Sequence, residues 1–187
     1  MGGLQRPRRR TLLLHWILGM TMTSSRRVLE DTLHRGVKLA IDSGEAASVD
    51  EAERIFRGYR ISFQVGPELA ESATLQAALL TGVNAASRSF LGGVRIAGPS
   101  RDAPLRIPWR GCATLGEATS DLGARWSRHS AANDPVVLLG NARPPRGARV
   151  ILQASYAGWA AQVAPVGTRS LWADDSEFPP AGILAGA

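Results

Sequence analysis

Tyr59, Ile61, Phe63 and Val65 alternate with Arg60, Ser62 and Gln64, a period of two that predicts a strand with one buried face. Gly66-Pro67 closes it, because proline lacks an N–H and steers its predecessor away from helical angles. From Ser72 the period lengthens. Leu75, Leu79, Gly82 or Val83, Ala86 and Phe90 fall on one helical stripe. Gly92-Gly93 stops the helix, and Val94-Arg95-Ile96 alternates again. A strand, a crossover helix and a second strand within residues 60–98 predict parallel pairing through a right-handed connection.

Two helices are expected ahead of this unit. Leu29, Leu33, Val37 and Ala40 or Ile41 make the stripe of an amphipathic helix over Ser24 to Ser43, ended by Ser43-Gly44. Ser48-Val49-Asp50-Glu51 fits a capping box, and the short helix it opens buries Ala52, Ile55 and Phe56 before Gly58. Beyond the unit, Pro99 to Pro108 is a loop with at most a short strand, Leu105 to Ile107. Thr114-Leu115-Gly116-Glu117 is a second capping box, opening a helix with Leu115, Ala118 and Leu122 inward and Gly123 at its end. Residues 125–135 read as loop. Pro135 to Gly140 is a continuous apolar run, as expected of a strand covered on both faces. Arg149 to Ser155 and Trp159 to Pro165 predict an antiparallel hairpin about Tyr156-Ala157-Gly158. The fold class is therefore α/β: a partly parallel, Rossmann-like sheet with a late antiparallel hairpin, preceded by two helices.

Three stretches define the organisation. Residues 1–22 are a basic and apolar extension, read first as disordered or as an over-called start before Met20 or Met22, with a signal or anchor and a folded element as the alternatives. Its apolar run, Leu12 to Met20, is far shorter than the roughly 20 residues a membrane helix needs. Residues 23–58 are a helical lead-in, and residues 59–187 form the α/β domain. Phe178 to Ala187 looks like an apolar helix that has only begun, with Pro179 and Pro180 in its first turn, so the expectation is a domain truncated at its C-terminal helix.

The net charge of +6 comes from one place. Arg6, Arg8, Arg9, Arg10, Arg26 and Arg27 precede any acid, while Val28 to Ala187 carries 16 basic and 16 acidic residues. A body of balanced charge argues against nucleic acid, whose binding domains concentrate positive charge on a face. Arginine supplies all but Lys38 of the basic residues, which reflects GC-rich codon usage. A single cysteine, Cys112, excludes an internal disulfide and every zinc site needing two thiolates.

The segments ISFQVGPELAESATLQAALLTGVNAASRSFLGGVRIAG, LLGN, YAGWAAQV and FPPAGILAGA are similar to the region preceding the catalytic domain in certain bacterial ThiF-type proteins. These are relatives of ubiquitin-activating enzymes that adenylate a carboxyl group. The resemblance covers most of residues 24–187 and implies the accessory N-terminal part alone. The family's ATP-binding glycine loop, the aspartate after it, the catalytic arginine and the paired CxxC zinc motifs have no counterpart in this sequence. No site residue transfers.

The remaining candidates are weak when read from their own chemistry. Gly66-Pro67-Glu68 lies where a phosphate loop would, but Glu68 and Glu71 would repel phosphate and the glycine spacing is missing. Leu91-Gly92-Gly93-Val94 could admit a ligand to the backbone, yet a helix stop explains it. Arg110-Gly111 and a following helix start could activate Cys112, but no histidine partner is indicated. His34 beside Arg35 reads as a solvated surface histidine. Trp109, Trp126, Trp159 and Trp172 read as core or interface anchors. Asp174-Asp175 with Glu177 reads as a solvated loop, and His129, Ser130 and Asp134 are neighbours in sequence only. No catalytic, cofactor-binding or metal-binding residue is assigned, and no cofactor. The expected role is a non-catalytic accessory domain of a ThiF-type, ubiquitin-activating-enzyme-like adenylyltransferase system in the bacterial cytoplasm. It would pack against a catalytic domain or another copy, with no nucleic acid and no membrane as partner. A standalone protein-interaction module is the alternative, and an enzyme with an unrecognised pocket comes last.

Overall fold

In the computed structural model, residues 36–109, 111–130, 133–157 and 160–169 are described. The chain divides into two compact units, residues 1–53 and 54–187. In the first, a helical segment at 36–42 ends in a turn, where the Ala46 N–H donates to the Ala40 carbonyl at 3.0 Å. Val37 and Ala40 are buried as their stripe requires, whereas Ile41 is exposed. Helix α1, Val49–Gly58, starts on Ser48, whose hydroxyl accepts the Glu51 N–H at 3.2 Å. Glu51 reaches back one residue further than a capping box requires, to the N–H of Ala47 at 2.9 Å.

The second unit holds strands β1 (Arg60–Val65), β2 (Gly93–Ala97), β3 (Arg125–Ser127), β4 (Val136–Leu139), β5 (Ile151–Ala157) and β6 (Ala160–Pro165). Its helices are α2 (Ala73–Ser89) and α3 (Leu115–Asp121), with a 3-10 turn at Pro67–Ala70. The strands order as β3-β2-β1-β4-β5-β6. Every pairing is parallel except β5 with β6. This is the α/β class expected, with helices ahead of the sheet.

Register makes one face of the sheet apolar. Phe63 pairs with Ile96 on one side and Val137 on the other, and Val65 pairs with Leu139, which pairs with Ala154. These residues join Leu79, Val83, Leu115 and Ala118 of α2 and α3 in a single core. Alternation puts Ser62, Gln64 and Arg95 on the opposite face. Ser62 is fully buried there, so β1 is covered on both faces at its centre and not on one alone. The β3–β4 connection supplies that cover: Asp134 accepts the Ser62 hydroxyl at 3.1 Å, and the Ser130 hydroxyl donates to Gln64 Oε1 at 2.8 Å.

Helix α2 is buried over more than its predicted stripe, since Thr74, Gln76, Ala77, Ala78 and Leu80 are buried beside Leu75, Leu79 and Val83. Its N-cap is Ser72, which accepts the Leu75 N–H at 3.1 Å. Helix α3 has the full capping box: the Thr114 hydroxyl accepts the Glu117 N–H, and the Glu117 carboxylate accepts the N–H groups of Thr114 and Ala113.

Two local expectations need correction, and the stretch read as a loop with at most a short strand stays a loop. Arg125–Ser127 is an edge strand within the stretch read as loop; β2 recruits it through Ile96 opposite Trp126. No strand forms over 105–107, where the chain makes only an antiparallel bridge between Pro104 and Thr114. In the hairpin, Tyr156 and Ala157 belong to β5, and Ala157 pairs with Ala160. The Ser24 helix before residue 36, the extension, Trp159 and the helix expected from Phe178 lie outside the described residues.

Candidate functional site

The chain leaves β1 toward β2 and later returns to lay β4 on the other side of β1. Open α/β sheets take ligands where the strand order reverses, at the carboxyl ends of the strands. Here that place lies between Gly66, after β1, and Gly140, after β4. The two strand ends are tied, with the Gly66 N–H donating to Leu139 O at 3.0 Å. The Ser100 hydroxyl closes on the Gly66 carbonyl at 3.3 Å.

Glu68 fills the crevice. It is the second residue of the 3-10 turn, and its carboxylate accepts the N–H of Asn141. A methyl group built on Gly66 would lie 2.5 and 2.6 Å from the two carboxylate oxygens. One built on Gly140 would overlap Oε1. Gly140 also sits at φ +68°, a conformation that side chains other than glycine enter at a cost. Both glycines thus let backbone approach an anion, and the anion is the protein's own. An incoming phosphate would meet a carboxylate where it needs a donor.

Several polar groups of the neighbouring segments are also engaged, while the buried Thr74 hydroxyl has no partner among the described residues. Burial pushes the Tyr156 phenol above its ordinary pKa, a hydrogen bond with Ser72 opposes the rise, and the Glu68 charge adds to it. Gln76, fully buried, donates through Nε2 to Leu69 O and Pro104 O, each at 3.1 Å, and accepts the Arg106 N–H at 2.8 Å. Arg106 in turn pairs with Glu71.

The other sequence candidates fall apart spatially. Gly92 is pressed against its own chain: its N–H donates to Tyr59 O at 2.7 Å, and a Cβ there would lie 2.6 Å from that oxygen. Burial and the charges of Asp121 and Glu117 raise the Cys112 thiol above its ordinary pKa, the wrong direction for a nucleophile. Trp109 and Trp126 pack against the core, their indole N–H groups donating to Asp121 at 3.3 Å and to Thr119 at 2.8 Å. Ser130 bonds Gln64, Asp134 bonds Ser62 and Arg95, and His129 uses its backbone carbonyl to accept from Ser127. No triad forms from them. Lys38 is exposed. His34, Trp172, Asp174, Asp175 and Glu177 lie outside the described residues. Among the described residues no group of three metal-ligating side chains exists, and no helix is long and apolar enough to cross a membrane.

The profile of the BilD N-terminal domain family matches residues 60–187. The chain belongs to that family. The bacterial E1-like protein BilD of Collimonas sp. (strain OK412) is 33% identical over 158 residues, which cover 83% of this chain and 34% of that protein. The chain therefore spans about a third of the length of this curated relative. No solved structure matches. The region of likeness contains the whole sheet, Glu68, Gly140 and Asn141.

Proposed function

We propose that this chain is a non-catalytic accessory domain of a bacterial ThiF-type, ubiquitin-activating-enzyme-like adenylyltransferase system, acting in the cytoplasm. It packs against a catalytic domain or a partner chain. The family membership carries this reading, because the family is named as the N-terminal domain of an E1-like protein. The Glu68 carboxylate in the crevice supports the absence of nucleotide chemistry. In this reading residues 1–22 are an extension, 23–58 a helical lead-in and 59–187 the α/β domain.

The test uses the purified chain with and without the remaining two-thirds of the Collimonas relative. Alone, the chain catalyses no exchange of pyrophosphate with ATP over a panel of carboxylate peptides. Mixed, the two co-elute. Exchange by the chain alone, abolished by Gly92→Ala or Cys112→Ser, would refute the reading.

A further inference from the structure

The two edge strands of the sheet differ in length and charge. β3 is three residues long, Arg125-Trp126-Ser127, with Arg128 after it, and a short, charged edge resists further pairing. β6 has six residues, Ala160–Pro165, and the sequence carries no charged residue from Val150 to Thr168. Among the described residues no strand pairs with the outer side of β6. The Val166 N–H donates to Ile151 O at 3.2 Å, so the bonded rungs of the β5–β6 ladder fall on every second pair from there. The peptide groups of Ala161, Val163 and Pro165 therefore face away from β5. Pro165 fits this register, because its missing N–H falls on the open side.

Side chains at this edge are open as well. Val163 stands opposite Ala154, which is 4% exposed, yet is itself 52% exposed. The core beneath α2 and α3 takes in Ala154 but not Val163. Val166 and Val150, where β6 finishes and β5 begins, are also exposed. Charge then selects the partner. Residues 135–169 contain four arginines, Arg143, Arg146, Arg149 and Arg169, and no acid. All four are exposed, and none joins the ion pairs of the described residues. Arg149 and Arg169 flank the Ile151–Val166 rung at one end of β6.

We propose that β6 takes on an added strand, an extended segment of a protein partner that is apolar along β6 and acidic where it passes Arg149 and Arg169. Its backbone accepts from the Ala161 and Val163 N–H groups, its apolar side chains cover Val163 and Val166, and its carboxylates meet the arginines. The β6 strand of a second copy would supply the hydrogen bonds but no carboxylate for the arginines. The surface rests on this edge alone and not on the accessory role proposed above, so peptide binding and the pyrophosphate and co-elution tests fail independently.

The experiment titrates the full chain with a synthetic peptide of three glutamates followed by alternating valine and threonine, and with its reversal, so that both strand directions are offered. Backbone amide NMR signals and hydrogen exchange are followed. Glutamine and lysine replace the glutamates in two controls, and proline replaces the valines in a third, which cannot add a strand. A glutamate peptide should bind saturably, slow exchange of the Ala161 and Val163 N–H groups, and bind about five-fold more tightly than the glutamine control, a margin that salt reduces. Val163→Pro removes one outward donor, leaves the β5–β6 ladder intact and should weaken binding about ten-fold. Arg149→Glu combined with Arg169→Glu should transfer the preference to the lysine peptide, and this surface pair carries the test if Val163→Pro unfolds. No binding of either glutamate peptide, equal binding of any control, protection elsewhere, or a preference that survives the charge reversal would overturn the proposal. Protection of Ala161 and Val163 that rises with protein concentration in the absence of peptide would place a second copy on this edge and overturn it too.

Discussion

Gly140→Ala asks whether Glu68 belongs in the crevice between β1 and β4. At φ +68° the new side chain costs about 1–2 kcal/mol in backbone strain. Its Cβ would overlap Glu68 Oε1 and lie 2.8 Å from Cδ. The backbone on both sides is held by the Gly66–Leu139 hydrogen bond, so the Glu68 side chain must yield. When it leaves, the bond from the Asn141 N–H is lost, worth about 1.5–3 kcal/mol for a charged acceptor. The sum is about 2.5–5 kcal/mol, and the lower half of that range is expected, because Glu68 is only half-buried and water replaces part of the bond. Glu68→Ala loses the bond without the clash. In that background Gly140→Ala costs only the strain. The double variant should therefore be about 1.5 kcal/mol more stable than the two single losses add up to. Urea denaturation of the four proteins, with equal slopes, measures this directly. Additivity within about 0.5 kcal/mol would show that the carboxylate does not occupy the crevice.

Three further outcomes follow from single groups. Gln76→Leu strands Leu69 O, Pro104 O and the Arg106 N–H and should cost about 3 kcal/mol or more in denaturant unfolding; a loss below about 1 kcal/mol would contradict the pinning role. The N–H groups of Ala113 and Thr114 hold the Glu117 carboxyl below its usual pKa, so its stabilising effect is present above the ordinary carboxylate range and is lost as pH falls through the lowered value. The gap in Tm between the parent and Glu117→Gln should accordingly be present at neutral pH and close in acid, and a gap unchanged in acid would count against the capping box. Cys112, its thiol raised by burial and by Asp121 and Glu117, should be alkylated by iodoacetamide more slowly than free cysteine at neutral pH and catch up only in alkali; faster labelling would mean an activated thiolate.

The elements that the sequence made legible are those with a sustained period or a local cap. β1, β2, β4 and α2 have alternating, continuous or helical apolar patterns long enough to read, and Thr114 with Glu117 needs only each other. β3 is three residues, Arg-Trp-Ser, with no period to detect; pairing with β2 creates it. Ser62 looked solvent-facing because alternation gives two faces but not what lies over each, and its partner Asp134 is 72 residues away. The charge of Glu68 was legible as hostile to phosphate. Its position was not, because the N–H it accepts belongs to Asn141, brought alongside only when β4 pairs with β1.

The carboxyl edge of this sheet departs from the usual pattern of a doubly wound fold. Carboxyl edges attract ligands because loops and helix N-termini there offer unpaired N–H groups to an anion. Here Ser72 takes the Leu75 N–H, Glu68 takes that of Asn141, and a 3-10 turn separates β1 from α2. Two of the N–H groups that could meet a phosphate are already taken from within. At the amino edge a buried carboxylate is also matched from within, Asp134 accepting from Ser62 and pairing with Arg95. At the carboxyl edge an incoming phosphate would meet the Glu68 carboxylate on the Asn141 N–H, where a phosphate loop offers an open donor.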